Sequence, residues 1–448
     1  MKKTYRLKLI IAAMMAMTAF AGCGNLNQEV NDKGPVYKPT ETGVAPVSSS
    51  ADPSSKSDES AADSAAAAPA ESAAEGNKAP AEPAPAEPAP AEPKEVIVSA
   101  KANELMKQMT LEEKICQLFI IRADTLEVDE NRDIGVTWCD DDMKAALEKY
   151  PVGGVIYFAN NVKDPAQLTK LSADLQEASK YPLFISIDEE GGQVARIAND
   201  PDFNVASYDN MLSVGKTKMP EKAKEVGSSI GAYLTEYGVN LDFAPVADIF
   251  TNPDNTVIGN RSFGTDAQTV SEMVSACIDG FHEQKIMTCI KHYPGHGDTS
   301  ADTHTGYVQV DKTWDELLGQ ELIPFIENMD KTDMIMAAHL TLPNVSDDKL
   351  PASLSKTLLT DKLRGELGYN GVIITDALGM GAVADNYSAA ESVIKVINAG
   401  ADIVLMPNSL ESSYNALLKA VKDGDISEAR IDESVGRILS LKDKYGLL

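Results

Sequence analysis

Residues 183–188 read LFISID. The run is apolar without alternation, rich in branched and aromatic side chains, and ends in a carboxylate. A strand wetted on one face alternates polar with apolar residues, whereas one covered on both faces does not. The segment therefore reads as a buried parallel strand that delivers Asp188 at its carboxyl end. Seven further runs share this character: QLFII (117–121), GVIYFA (154–159), VNLDFAPV (239–246), IMTCIKHY (286–293), MIMAAHL (334–340), GVIITDA (371–377) and DIVLMP (402–407). Amphipathic stretches of helical length separate them, among them 166–180, 221–238, 268–285, 315–330 and a closing 427–446. Eight strands alternating with helices over about 350 residues predict a (β/α)8 barrel of the TIM type. A doubly wound open sheet is the alternative, but no GxGxxG follows the first strand to support a dinucleotide-binding version.

In such a barrel, chemistry gathers at the carboxyl ends of the strands. Strand 3 ends in Asp188, strand 4 carries Asp242 and ends near Asp248, strand 5 ends in Lys291-His292, strand 6 in His339 and strand 7 in Asp376. Each could serve as a satisfied buried polar group or a cap. Ionisable groups from five strands at one end point to a functional rim instead.

The loop after strand 5, KHYPGHGDTSADTHTG (291–306), holds three of the chain's five histidines, His292, His296 and His304, beside Asp298 and Asp302. It can be read as a metal site, a proton-transfer site or a plain polar loop. No strand offers HxH, no HExxH is present, and Gly295 and Gly297 place His296 on a turn expected to be flexible, which suits a rigid ligand poorly. The Asp302–His304 pair fits proton transfer better, because a carboxylate orients an imidazole and stabilises its charged form. Glycines would let the loop swing over a substrate. A nucleophile is then needed on a rigid element, and Asp376 in GVIITDALGMG meets that need.

The formal charge of −28 argues against nucleic-acid binding, since a phosphate backbone would be repelled. The chain opens MKKTYRLKLIIAAMMAMTAFAGCGN, a basic head and a short apolar run with the layout of a secretory signal over 1–22. The Ala-Gly-Cys ending resembles a bacterial lipobox, with Cys23 as the lipidated residue and two acyl chains for stable membrane anchoring. Residues 23–94 are dominated by Ser, Ala, Glu and Pro, with APAEPAPAEPAPAEP at 79–93. They bury too little apolar surface to fold, and read as a disordered or extended stalk reaching on the order of 200 Å at most. The barrel domain is expected over 95–448. Cys116, Cys139, Cys277 and Cys289 form no disulfide framework and no CxxC zinc pair; Cys139, in a polar stretch, is expected at the surface and the others in the core.

Four motifs together resemble glycoside hydrolase family 3, in its β-N-acetylhexosaminidase branch. They are IDEEGGQVARI (187–197), NRSFGTD (260–266), KHYPGHGDTSADTH (291–304) and ITDALGM (374–380). Tyr293 and Thr303 stand where the branch's loop usually carries Phe and Ser, and neither departure removes a proposed catalytic group. The resemblance implies Asp376 as nucleophile and His304, partnered by Asp302, as general acid and then base. It implies Asp188, Arg196, Arg261, Lys291 and His292 as ligands of a terminal N-acetylglucosamine, with His339 lining the same pocket. It implies no metal and no organic cofactor. Larger relatives carry a second domain that in many supplies the acid/base; the chain ends at Leu448, so a barrel loop is expected to supply it here.

The expectation is thus a retaining exo-β-N-acetylglucosaminidase acting on cell wall (peptidoglycan) fragments or related glycans. It would be a monomer, anchored outside the cytoplasmic membrane. The alternatives are a metal-dependent barrel hydrolase, a β-N-acetylglucosaminide phosphorylase and a non-catalytic sugar-binding lipoprotein.

Overall fold

The computed structural model describes residues 96–126, 135–299 and 308–448. The expected signal (1–22), the stalk (23–94) with Cys23, and the loop residues Asp302 and His304 lie outside the described residues.

Eight parallel strands form one sheet: β1 (Phe119–Arg122), β2 (Gly154–Tyr157), β3 (Phe184–Ile187), β4 (Leu241–Asp242), β5 (Met287–Tyr293), β6 (Met334–Ala337), β7 (Val372–Thr375) and β8 (Val404–Leu405). Their order is β7-β6-β5-β4-β3-β2-β1-β8. The registers pair Phe119 with Val404, Ile120 with Gly154, Val155 with Ile185, Ser186 with Leu241, Leu241 with Met287, Cys289 with Met334 and Ile335 with Ile373. A parallel bridge between Ile374 and Ile403 joins the two edge strands and closes the barrel. Chain order equals spatial order around the ring, which is the barrel expected above and not an open doubly wound sheet. Every residue of β2, β3, β5, β6 and β7 is buried. That is the physical counterpart of runs that do not alternate: one face fills the barrel and the other lies under helices.

The outer helices start where small polar residues can satisfy their free N–H groups. Asp164 caps Pro165–Ala178, Asp266 caps Ala267–Glu283 and Ser427 caps Glu428–Lys444. Helix Ala267–Glu283 buries Val270, Met273, Val274, Cys277, Ile278 and Phe281, a stripe at three- and four-residue spacing that faces the sheet. The stretch at 315–330 departs from its expectation. It forms two short helices, Trp314–Leu318 and Ile323–Asn328, because Gly319 ends the first and Pro324, lacking an N–H, sits in the first turn of the second.

Cys116, Cys277 and Cys289 are buried as expected, but Cys139 is buried too. Its polar neighbours misled: the side chain packs into the core beside Val136 and Met143, while Asp140 caps the helix Asp141–Lys149.

Lys442 is fully buried at the amino-terminal end of the barrel. Its Nζ donates to Gln117 Oε1 at 2.8 Å and to the Gly153 carbonyl at 3.0 Å, and it lies 4.7 Å from the Phe184 ring centroid. Burial pushes its pKa down to about 7 from an ordinary 10.5. Between those values the unfolded chain binds the proton and the folded chain does not, so this group makes stability rise with pH across that window. Lys442→Met is expected to remove that rise, and urea titrations of both proteins from pH 7 to 10 check it. Parallel curves for the two would disprove the assignment.

Candidate active site

The site begins with β3. Asp188 is the first residue beyond that strand, and the chain then turns through a small hairpin, Glu189–Gly191 against Val194–Ala195, that carries Glu190 and Arg196. From β5, Lys291 Nζ lies 2.7 Å from Asp188 Oδ1 and 2.6 Å from Glu190 Oε1. Arg261, in the short turn Gly259–Arg261, clamps Glu190 in a fork: Nε to Oε2 and Nη2 to Oε1, both at 2.8 Å. The same Nη2 lies 3.4 Å from His292 Nε2. Arg196 Nη2 lies 3.9 Å from Asp188 Oδ2, and its guanidinium stacks 5.5 Å from the Phe158 centroid. Asp188, Arg196, Arg261, Lys291 and His292, scattered over more than a hundred residues of chain, thus form one connected cluster.

Two members of this network received no role from the sequence. Glu190 is the hub that joins Lys291 to Arg261. The signal available was its place beside Asp188 in IDEEGG, but the strand pattern alone does not say which cation a carboxylate will meet. Asp248, beyond β4, aims its carboxylate at the start of the β5 loop. It accepts His292 N–H at 3.2 Å and His296 N–H at 2.7 Å, and its Oδ2 lies 2.6 Å from His292 Nδ1. His292 is thereby held at both ring nitrogens. The Lys291–His292 and Tyr293–Pro294 peptides are cis.

Burial alone would raise the Glu190 carboxyl, but the Arg261 and Lys291 charges outweigh it and hold its pKa well below the usual range. Burial works against the Lys291 charge, yet Asp188 and Glu190 hold its pKa above the ordinary lysine value.

Two members of this cluster, His292 and Lys291, act on Asp376, one residue past β7. Its backbone N–H donates to the Ala337 carbonyl at 2.9 Å, and its Oδ1 accepts the Ala377 N–H at 2.7 Å. Burial pushes its carboxyl up, but His292, His339, the Ala377 N–H and Lys291 together bring it below the usual carboxylate value. Asp376 is therefore ionised near neutral pH on a rigid strand end, the state a nucleophile needs. His339 is fully buried, with Nδ1 2.7 Å from Ser353 Oγ and Nε2 3.0 Å from the Ala377 carbonyl. It secures the backbone behind Asp376.

Two further expectations change. Asp242 does not join the rim: it is fully buried, accepts the Glu189 N–H at 2.9 Å, and burial raises its pKa well above the ordinary value. His296 is likewise locked in place. It is buried, its Nδ1 lies 2.8 Å from Thr299 Oγ1, and its carbonyl accepts Asn255 Nδ2–H at 2.8 Å. The turn around it is not a loose one. A Cβ on Gly297 would lie 1.8 Å from the Ile249 carbonyl oxygen, and Gly295 takes a φ of +125°. These glycines serve close contact and a left-handed turn, not swing.

The cluster lies at the carboxyl ends of a closed parallel barrel, where barrel enzymes carry their chemistry. The chain belongs to glycosyl hydrolase family 3: the family's N terminal domain matches residues 110–441. The chain is 36% identical over 332 residues to Beta-hexosaminidase A of Pseudoalteromonas piscicida, covering 68% of this chain and 55% of that protein. It is 35% identical over 294 residues to a Beta-hexosaminidase of Tolumonas auensis, covering 65% of this chain and 85% of that one. In structure it is similar to a family 3 beta-N-acetylglucosaminidase from Paenibacillus sp. str. FPU-7. The TM-score is 0.70 and the identity 38%, over 76% of this chain and 63% of that one. The chain thus spans little more than half the length of the first of these relatives.

Proposed function

We propose that the chain is a retaining exo-β-N-acetylglucosaminidase with Asp376 as its nucleophile. The observation that carries this reading is an Asp376 carboxylate kept ionised at the end of β7 within the field of the Lys291 and His292 cluster. The names of its relatives support the sugar class. In the first step the Asp376 carboxylate attacks the anomeric carbon while His304, oriented by Asp302, gives its proton to the departing oxygen. A glycosyl ester results. His304 then takes a proton from water, the water oxygen opens the ester, and the sugar leaves with retained configuration. Asp188, Arg196, Arg261, Lys291 and His292 hold the hydroxyls and acetamido group of the terminal sugar. The reaction calls on no metal and no organic cofactor.

The remaining expectations extend this reading. Residues 1–22 act as a signal, Cys23 carries the lipid, 23–94 form the stalk, and 95–448 work as a monomeric enzyme outside the cytoplasmic membrane. The stalk and membrane tether would place the enzyme among cell wall glycans, so peptidoglycan fragments are the expected substrate, with other amino-sugar glycans also accepted.

Release of p-nitrophenol from its β-N-acetylglucosaminide tests the activity; an inert wild-type protein would end the proposal. Equal rates with and without phosphate separate hydrolysis from phosphorolysis, and dialysis against a chelator should leave the rate unchanged. Mass spectrometry of products from defined muropeptides reports the bond cut. The pH dependence has a definite sign. Since the Asp376 pKa is depressed below 3.8, the acid limb of kcat/KM due to the nucleophile lies below that value.

A further inference from the structure

Of the acids in IDEEGG, Asp188 and Glu190 meet Lys291. Glu189, between them, is fully buried and serves the main chain instead. Its Oε2 accepts the Ile197 N–H and its Oε1 the Ala198 N–H, both at 2.9 Å, and the Arg196 N–H adds to them. From helix Pro220–Glu236 the Tyr233 hydroxyl donates to Oε1 at 2.8 Å. The Glu189 N–H is itself held by Asp242 Oδ1, and the residue stands opposite Ala195 across the hairpin. Successive N–H groups from 196 to 198 thus converge on one carboxylate, as in a backbone nest. The nest begins at Arg196.

The Arg196 side chain is steered from its far end as well. Its guanidinium lies 5.5 Å from the Phe158 centroid, and its Nη2 stands 3.9 Å from Asp188 Oδ2, beyond hydrogen-bond reach. Its Nε is buried with no hydrogen-bond partner among the described residues. A buried donor left unmet is costly, and a side chain free to turn would find it an acceptor. A main chain fixed at 196–198 denies it that freedom. We propose that Glu189 is a positioning residue for Arg196: by gathering the N–H groups of 196–198 it sets the direction in which the guanidinium enters the sugar pocket, with its donors kept for the ligand. The inference rests on the reading of Arg196 as a ligand of the terminal sugar.

The test reads affinity for the sugar alone. Competitive inhibition by N-acetylglucosamine gives a Ki that does not depend on how much of the protein folds. In the full chain, Glu189→Ala should raise Ki and KM by roughly tenfold or more, the effect of a misplaced binding group, with a smaller change in kcat. Glu189→Gln keeps an acceptor oxygen and should recover most of the loss. Tyr233→Phe removes one donor to the carboxylate and should raise Ki by about two- to fivefold; it decides the matter if Glu189→Ala does not fold. A merely structural role would not produce coupling. In an Arg196→Ala background, Glu189→Ala and Tyr233→Phe should no longer change Ki. A Ki unmoved by either variant, or raised equally with and without Arg196, overturns the inference.

Arg196→Ala alone separates the two levels. If it raises Ki and the Glu189 and Tyr233 variants do not, only the positioning role falls. If it leaves Ki at the wild-type value, Arg196 is no sugar ligand, and the positioning role falls with that reading.

Discussion

Asp376→Ala is expected to lower kcat by about 10⁴-fold or more on p-nitrophenyl β-N-acetylglucosaminide, the scale seen when a nucleophile is deleted from a group of residues acting together. The position is specific. The carboxylate stands one residue past β7, tied through its own N–H to the Ala337 carbonyl and through its Oδ1 to the Ala377 N–H. No other side chain at the end of β7 can take over its role. The loss should fall on kcat with KM little changed, because the five-residue cluster that grips the sugar is untouched. Azide added to the variant should restore turnover and yield the α-glycosyl azide, since the anion enters the space the carboxylate left and attacks the same face. A variant within tenfold of wild type, or a rescued product of β configuration, would remove Asp376 from the nucleophile's role.

Glu190→Gln should cost about 3–5 kcal/mol of stability, the penalty for leaving buried cations without their counter-ion. The substitution keeps shape and volume, so a loss would report charge alone. Glu190 takes both arms of the Arg261 fork and the Lys291 ammonium, and its side chain is 1% exposed. An amide answers at most one of these donors well, and its own NH₂ would face a cation. Urea unfolding measures the cost. KM should rise as well, since Arg261 and Lys291 lose the anchor that aims them. The pH dependence carries a sign check. The folded pKa of Glu190 lies far below its ordinary 4.5, so its contribution is complete above that value and fades as pH falls beneath it. The gap between wild type and variant should therefore narrow in acid. A loss under about 1 kcal/mol with unchanged KM would show that the cluster relaxes around the substitution.

Much of this architecture was legible in residue order. A strand covered on both faces must be apolar throughout, and LFISID, GVIYFA and GVIITDA say so without reference to anything distant. Each matches a barrel strand within a residue or two. Strand ends carry the chemistry because side chains there leave the packed interior, so Asp188, Lys291, His292 and Asp376 were readable from position alone. Helix breaks were less so: the split at Gly319 and Pro324 was masked by a strong amphipathic period on either side.

Partnership was not legible. Polarity at a strand end does not distinguish Asp188, which meets Lys291, from Asp242, which burial leaves accepting a backbone N–H. Nor does it separate the glycines of a mobile turn from Gly295 and Gly297, whose missing side chains admit Glu321 and the Ile249 carbonyl. Periodicity and strand-end placement are local properties of the chain, and the sequence by itself determined them. The pairing of charges depends on which strands the closed ring sets side by side and on how much water their walls exclude. Only the tertiary structure decided that Glu190 would join Lys291 to Arg261 and that Asp248 would hold His292.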